Sequence, residues 1–208
     1  MELNPQHLLI FAMAALLMVL SPGPNMLYLV SRTLCQGRVA GLISLAGVIT
    51  GFICHMLAAA FGLSGLFLAQ PLAYELLKYA GALYLLWLAW QSIKPGGRSP
   101  FEARQLSVAR PVKLFSMGLV TNLLNPKIIV FYLSILPQFI TDPTHVLGQS
   151  LALGSLQIGI SFVVNLLITL CAASIAAWLG DNPGWLRVQR YVMGTVLAGL
   201  AARMAAQK

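Results

Sequence analysis

Two proline-marked interruptions of apolar sequence in these 208 residues carry side chains that can do polar chemistry. Ser21-Pro22-Gly23-Pro24-Asn25 lies between an apolar run from Leu8 to Leu20 and a second from Met26 to Val30. Asn122-Leu123-Leu124-Asn125-Pro126-Lys127 interrupts another such stretch. Proline removes a backbone donor and clashes with the preceding turn, so Pro22, Pro24 and Pro126 are predicted to break their helices. In hydrocarbon an open backbone group is costly unless protein or a watery cavity satisfies it. A lone break reads equally well as a tolerated kink. Two breaks at matching points read as discontinuous helices whose freed amides and carbonyls meet a solute. On that reading Ser21, Gly23, Asn25, Asn122, Asn125 and Lys127 are the predicted substrate-binding residues. Each asparagine amide can donate and accept, and each can also serve simply to cap its local break.

Lys127 is the sharpest of these residues, because apolar sequence flanks it on both sides. A charged lysine at mid-bilayer costs about 2.5–3.5 kcal/mol on insertion scales, so it must face a cavity or a partner. Its two readings are a group that meets the solute carboxylate or couples transport, and a cation that neutralises open carbonyls at the break. His55 is the other titratable side chain deep in an apolar stretch. Imidazole changes charge near neutral pH, which suits a proton relay, although a histidine bonded to a nearby carbonyl is the plain alternative. Glu75 and Lys78 read as an interfacial pair one turn apart. Asp142 and Asp181 sit beside Pro143 and Pro183, where turn formation explains them.

Composition says what must position these groups. The chain is 59% hydrophobic and only 9% charged, with mean hydropathy +0.83, which excludes a soluble globular domain. Several nearly uncharged runs exceed the roughly 20 residues that span a bilayer. The expected fold is all-α: a polytopic membrane protein with six transmembrane helices near 6–31, 39–67, 72–93, 113–137, 146–179 and 188–206. The first and fourth are the broken ones. The N-terminus lacks the basic region of a cleavable signal. Cys35, Cys54 and Cys171 are scattered without metal-ligand spacing and read as free thiols. No cofactor or metal is expected.

Arg32, Arg38, Lys94, Arg98, Arg104, Arg110, Lys113, Arg187 and Arg190 fall in alternate connections. The positive-inside rule therefore puts those connections in the cytoplasm and both termini outside, in the periplasm. Trp87, Trp90, Trp178 and Trp185 fall near the same interface, as an aromatic belt does. The +8 net charge is thus explained by orientation in a lipid membrane, and no nucleic-acid partner is expected.

The two halves echo one another. Besides the breaks, Gly41, Gly47 and Gly51 are echoed by Gly148, Gly154 and Gly159, and Lys78-Tyr79-Ala80-Gly81 by Arg190-Tyr191-Val192-Met193-Gly194. Three spans per repeat, an odd number, invert the second repeat relative to the first. The whole chain, 1–208, is read as one transmembrane transporter domain: repeat one about 1–93, a cytoplasmic loop about 94–112, and repeat two about 113–208. Gly37-x3-Gly41 and Gly47-x3-Gly51 read as close-packing faces, which would serve a homo-oligomer equally well.

The same residues resemble a known family. Ser21-Pro22-Gly23-Pro24-Asn25, Lys78-Tyr79-Ala80-Gly81-Ala82-Leu83-Tyr84-Leu85, Asn122-Leu123-Leu124-Asn125-Pro126-Lys127, Phe131 and Pro137-Gln138-Phe139 together resemble the signature of the LysE/RhtB amino-acid exporters. The resemblance covers nearly the whole chain. It implies a multi-pass protein of the bacterial inner membrane that exports amino acids or related metabolites, driven by protons. Gly51 is followed by Phe52, with His55 one turn on, which looks more like the homoserine/threonine-type branch. Asn165 stands where some of that branch have an aspartate. The rival readings are an exporter of a cation or small amine, a membrane enzyme, and a scaffold. Catalytic motifs such as H-E-x-x-H and G-x-S-x-G are absent from the sequence, so the chain is expected not to be an enzyme. Alternating access of a solute bound between the two breaks is the expected mechanism.

Overall fold

The computed structural model describes residues 5–21, 23–69 and 107–181, together with 79, 83, 86, 87, 90, 184, 191, 195, 198, 199 and 202. Its helices are α1 (Pro5–Leu20), α2 (Pro24–Gln36), α3 (Arg38–Ala69), α4 (Pro111–Leu123), α5 (Pro126–Val130) and α6 (Val146–Asp181). A π turn (Phe131–Ile135) and a 3₁₀ turn (Leu136–Phe139) extend α5, and a second 3₁₀ turn (Pro143–His145) leads into α6.

Prolines punctuate this architecture. Residue 22 is the position whose N–H would bond the Met18 carbonyl, and as proline it has none, so α1 stops. Its last backbone bond is from Ser21 N to Leu17 O, at 3.0 Å. The chain passes through an extended Gly23, and Pro24 opens α2 at the first helical position, where its missing donor costs nothing. α1 and α2 are bent by 51°. Pro126 repeats the device: it deprives the Asn122 carbonyl of its partner, and the fourth predicted span bends by 50° between α4 and the segment from Lys127 to Phe139. Pro137 likewise withholds a donor from Leu133, and the helix there widens into the π turn.

Among the described residues two continuous stretches, Arg38–Gly62 and Pro143–Ser174, are long and apolar enough to cross a bilayer, and each bent pair passes the same test when its two helices are joined. Burial runs opposite to that of a soluble protein. Ser44, Asn122, Asn125, Gln157, Ser161, Asn165 and Thr169 are buried, whereas Leu9, Val39, Phe61, Val112, Val163 and Leu167 lie on the surface. Such a surface suits lipid, and the chain is an all-α polytopic membrane protein.

α3 and α4 pack backbone to backbone. A Cβ on Gly47 would strike the Phe115 carbonyl, and one on Gly118 the Ser44 carbonyl. Close approach is therefore the role of the Gly47 face, as expected. Gly37 differs: nothing lies within 4 Å of its would-be Cβ, but its φ is +87°. It makes the turn between α2 and α3, so its place in the close-packing set is corrected. α6 packs on α1, α2 and α3. The aromatic core sits where α1 meets the second broken segment: Phe11 is 5.6 Å from Phe131 and 5.2 Å from Phe139, ring centre to ring centre.

Two boundaries move. The first predicted span continues five residues past 31 to Gln36, so Arg32 is a buried helical residue and not a loop cation. Asp181 closes α6 instead of sitting in a loop. Most of the third and sixth predicted spans and of the 94–112 loop lie outside the described residues. So do Pro22, the Glu75–Lys78 pair, Trp185, both termini and the Trp178 side chain.

Candidate functional site

The two breaks meet. Lys127, the second residue of α5, sends its Nζ to the end of α1, donating to the Met18 carbonyl at 2.9 Å and the Ser21 carbonyl at 2.6 Å. The Met18 oxygen is the one that Pro22 leaves without a helical partner. A helix C-terminus carries partial negative charge, so an ammonium is the favoured occupant. Two charge-assisted bonds are worth about 1.5–3 kcal/mol each, which offsets the insertion cost of a buried lysine. Lys127 thus neutralises the open carbonyls of the first break. Gly23 makes room for it: a Cβ there would stand 3.0 Å from Nζ and 3.2 Å from Cε.

The second break is served in the opposite direction. The Asn122 carbonyl, freed by Pro126, accepts from Nε2 of His55 on α3 at 3.2 Å and from the Asn125 N–H at 3.0 Å. The ring of His55 stacks on Tyr132, with centroids 6.0 Å apart and an interplanar angle of 18°. α3 can approach here because residue 51 is glycine; a Cβ at Gly51 would lie 2.7 Å from both Cβ and Oδ1 of Asn122.

The asparagines divide by role. Asn125 caps α5, its side chain accepting from the Lys127 N–H at 3.1 Å. Oδ1 of Asn25, both side-chain atoms of Asn122, and Nδ2 of Asn125 are buried without a hydrogen-bond partner. Buried orphan polar atoms are costly and rare, and of these four the Asn25 amide belongs to a residue that lines a cavity. Asn25 and Lys127 line a small cavity there with Met18, Val19, Met26, Phe52, Ile128 and Asn165. Its lining thus combines polar with apolar side chains. Ser21 is buried beside it through its carbonyl, and Pro24 and Pro126 begin the two helices that flank it.

Two further groupings escape the site predicted from sequence. On α6, Gln157, Ser161 and Asn165 form a buried seam at four-residue spacing that reaches the cavity. The Tyr132 hydroxyl donates to Gln157 Oε1 at 2.5 Å, Gln157 Nε2 to Ser161 Oγ at 2.7 Å, and Asn165 Nδ2 to the Ser161 carbonyl at 2.8 Å. The signal was visible: polar residues at i, i+4 and i+8 in an apolar helix define one face. On α2, Tyr28, Arg32 and Gln36, again four apart, grip the start of α4. Tyr28 donates to the Leu114 carbonyl at 2.7 Å and Arg32 to the Ser107 carbonyl at 2.9 Å. Gln36 exchanges two bonds with the Ala109 backbone, at 2.6 and 2.9 Å.

The described residues contain no group of three or more metal-ligating side chains. In the exposed turn before α6, hydrogen bonds from the Thr144 hydroxyl and backbone, and then from His145, hold the Asp142 carboxyl down to about 2.

Comparison with known proteins agrees with this architecture. The sequence profile of the LysE type translocators matches residues 16–208. The homoserine/homoserine lactone efflux protein of Salmonella typhimurium is 31% identical over 198 residues, 95% of each chain. The leucine efflux protein of Salmonella choleraesuis is 29% identical over 197 residues, 94% of this chain and 92% of its own. No solved structure matches the chain significantly. With nearly its whole length matched and both proline breaks inside the match, the chain belongs to the LysE type translocator family.

Proposed function

We propose that this protein is a secondary active exporter of small neutral amino acids or closely related metabolites, working by alternating access across the bacterial inner membrane. The observation that carries the reading is the cavity between the paired breaks, lined by Lys127 and by Asn25, whose Oδ1 is unpartnered. An amino acid brings a carboxylate and an ammonium. Discontinuous helices offer partners for both near the bilayer midplane, without placing side-chain charges in lipid. The cavity's apolar lining, Met18, Val19, Met26, Phe52 and Ile128, suits a short uncharged side chain. The solutes named for the relatives, homoserine, its lactone and leucine, fit that outline. They share an α-amino group; the lactone has no free carboxylate.

Ser21, Gly23, Asn25, Asn122, Asn125 and Lys127 form the solute site in this reading, and His55 is the proton-coupling candidate. The space at the breaks suits little more than a water-sized molecule, so the two halves must part for a solute to enter. Inverted repeats supply that movement, with the cytoplasmic face set by the basic connections and both termini periplasmic. The reciprocal bonds of Lys127 and His55, each reaching from one half to the proline-freed carbonyl of the other, support such a repeat. The chemistry is transport, not catalysis.

The test is efflux from loaded cells or inside-out vesicles, with a panel of neutral amino acids and lactones, with and without a proton gradient. Protein-dependent, gradient-dependent loss of homoserine or leucine is expected. No gradient-dependent movement of any solute would sink the reading, and single-channel currents would indicate a pore.

A further inference from the structure

The end of α1 is built to hold a primary ammonium. The Met18 carbonyl is open because residue 22 is proline, and the Ser21 carbonyl is open because the chain turns away through Gly23. Both oxygens converge on one nitrogen, Lys127 Nζ, at 2.9 and 2.6 Å. An ammonium has three donors, so one remains beyond these two bonds. Asn25, 7% exposed, lines the same cavity, and its Oδ1 is buried and unpartnered. Lys127 Nζ reaches two of these acceptors and leaves Asn25 Oδ1 unpartnered, which a mobile primary ammonium in the cavity is free to approach; a quaternary ammonium, with no N–H, could use none.

We infer that the Met18 and Ser21 carbonyls with Asn25 Oδ1 form the ammonium site for the exported solute's α-amino group, and that Lys127 Nζ is a tethered occupant which the solute displaces. This inference rests on the exporter reading and deepens it. The exchange conserves charge. As the solute's ammonium takes the carbonyls, the Lys127 ammonium swings free on its four-carbon stem and can meet the solute's carboxylate where there is one. A lactone, lacking the carboxylate, still satisfies the carbonyl site. Without an incoming ammonium, moving Lys127 away would leave two buried carbonyls open in the membrane, which opposes opening of the first break. The amino group is thus both ligand and key: it replaces the lysine's two bonds one for one. Amines lacking N–H donors, and amides in place of amines, should not open the break.

The experiment uses the full-length chain in detergent, as Lys127→Ala and Lys127→Met. The alanine variant leaves room for a small amine; methionine fills the channel of the lost stem. Ethylammonium chloride should raise the unfolding midpoint of Lys127→Ala by about 4–8 °C at saturation. It should leave wild type and Lys127→Met nearly unmoved. Tetramethylammonium and sodium chloride at equal concentration control for donors and for cation charge. Equal rescue by sodium would make this an alkali-cation site and overturn the inference, as would no rescue by ethylammonium. If Lys127→Ala does not survive extraction, ethylammonium is supplied during extraction and monodisperse recovery becomes the readout; recovery that stays at zero with the amine overturns it too. In the wild-type efflux assay, homoserine and leucine should leave at least tenfold faster than their N-acetyl derivatives, and equal rates would count against the site. Absence of any efflux would defeat the exporter reading while leaving the amine rescue to decide the site.

Discussion

At each break a carbonyl four residues before a proline, that of Met18 or of Asn122, is taken by a basic side chain from the other half of the chain. The two are not equivalent. At the first, Lys127 is buried and holds two carbonyls, and Gly23, at the start of α2, makes no side-chain cap. At the second, half-buried His55 shares one carbonyl with a backbone N–H, and Asn125 caps α5 locally. The first break depends on a residue over a hundred positions away; the second is largely self-sufficient. On the proposed alternating-access reading, the break without local caps is the one expected to respond to what is bound.

That asymmetry can be broken one side at a time. The largest effect should come from Lys127→Ala, which strips two charge-assisted bonds worth about 1.5–3 kcal/mol each and leaves buried carbonyls open. Export should fall by more than a hundredfold, and thermal unfolding should show a clear drop in midpoint. Normal export from a well-expressed variant would remove Lys127 from the site. Next comes Gly51→Ala, whose new Cβ would sit 2.7 Å from Asn122 Oδ1 and push α3 off the second break. Overpacking of this kind costs about 1–3 kcal/mol, measurable by denaturation in detergent.

Pro126→Ala would return an N–H to the Asn122 carbonyl and compete with His55 for it. It should straighten the 50° bend and slow export roughly tenfold, with little loss of stability, because a local bond replaces a long-range one. His55→Gln retains a donor for that carbonyl but loses the titrating ring. Export at neutral pH should stay within about threefold, while its response to a proton gradient disappears. An unchanged pH profile would take His55 out of coupling.

The smallest effect is expected far from both breaks, with Asp142→Asn. The Asp142 carboxyl is held from 3.8 down to about 2. A carboxyl lowered on folding adds stability above its unfolded value and loses it as pH falls through the folded one. The stability difference between wild type and variant should therefore be full above about pH 4 and vanish between pH 4 and 2. A constant difference across that range would mean the carboxylate itself contributes nothing.

Much of this was legible in the residue order. Both breaks, the α3 span and α6 were placed within a few residues, because proline chemistry and long apolar runs act locally. The candidate residues were legible as well, since any polar side chain in hydrocarbon must have a reason to be there. Arg32 was misjudged: charge counting assigns it to a loop, while its burial comes from a Ser107 carbonyl 75 positions away. The α6 seam was overlooked because serine, glutamine and asparagine carry no charge, although their four-residue spacing marked one face.

By itself, then, the sequence determined where the helices must break and which oxygens those breaks release, since proline has no N–H wherever it is placed. It also determined that a lysine and a histidine would need partners. Only the tertiary structure decided which partners. Pairing Lys127 with Met18 and Ser21, and His55 with Asn122, requires α3, α4 and the two broken spans to meet. That depends on backbones approaching at Gly47 and Gly118 and on Gly51 admitting the Asn122 side chain, a long-range fit that local sequence does not encode.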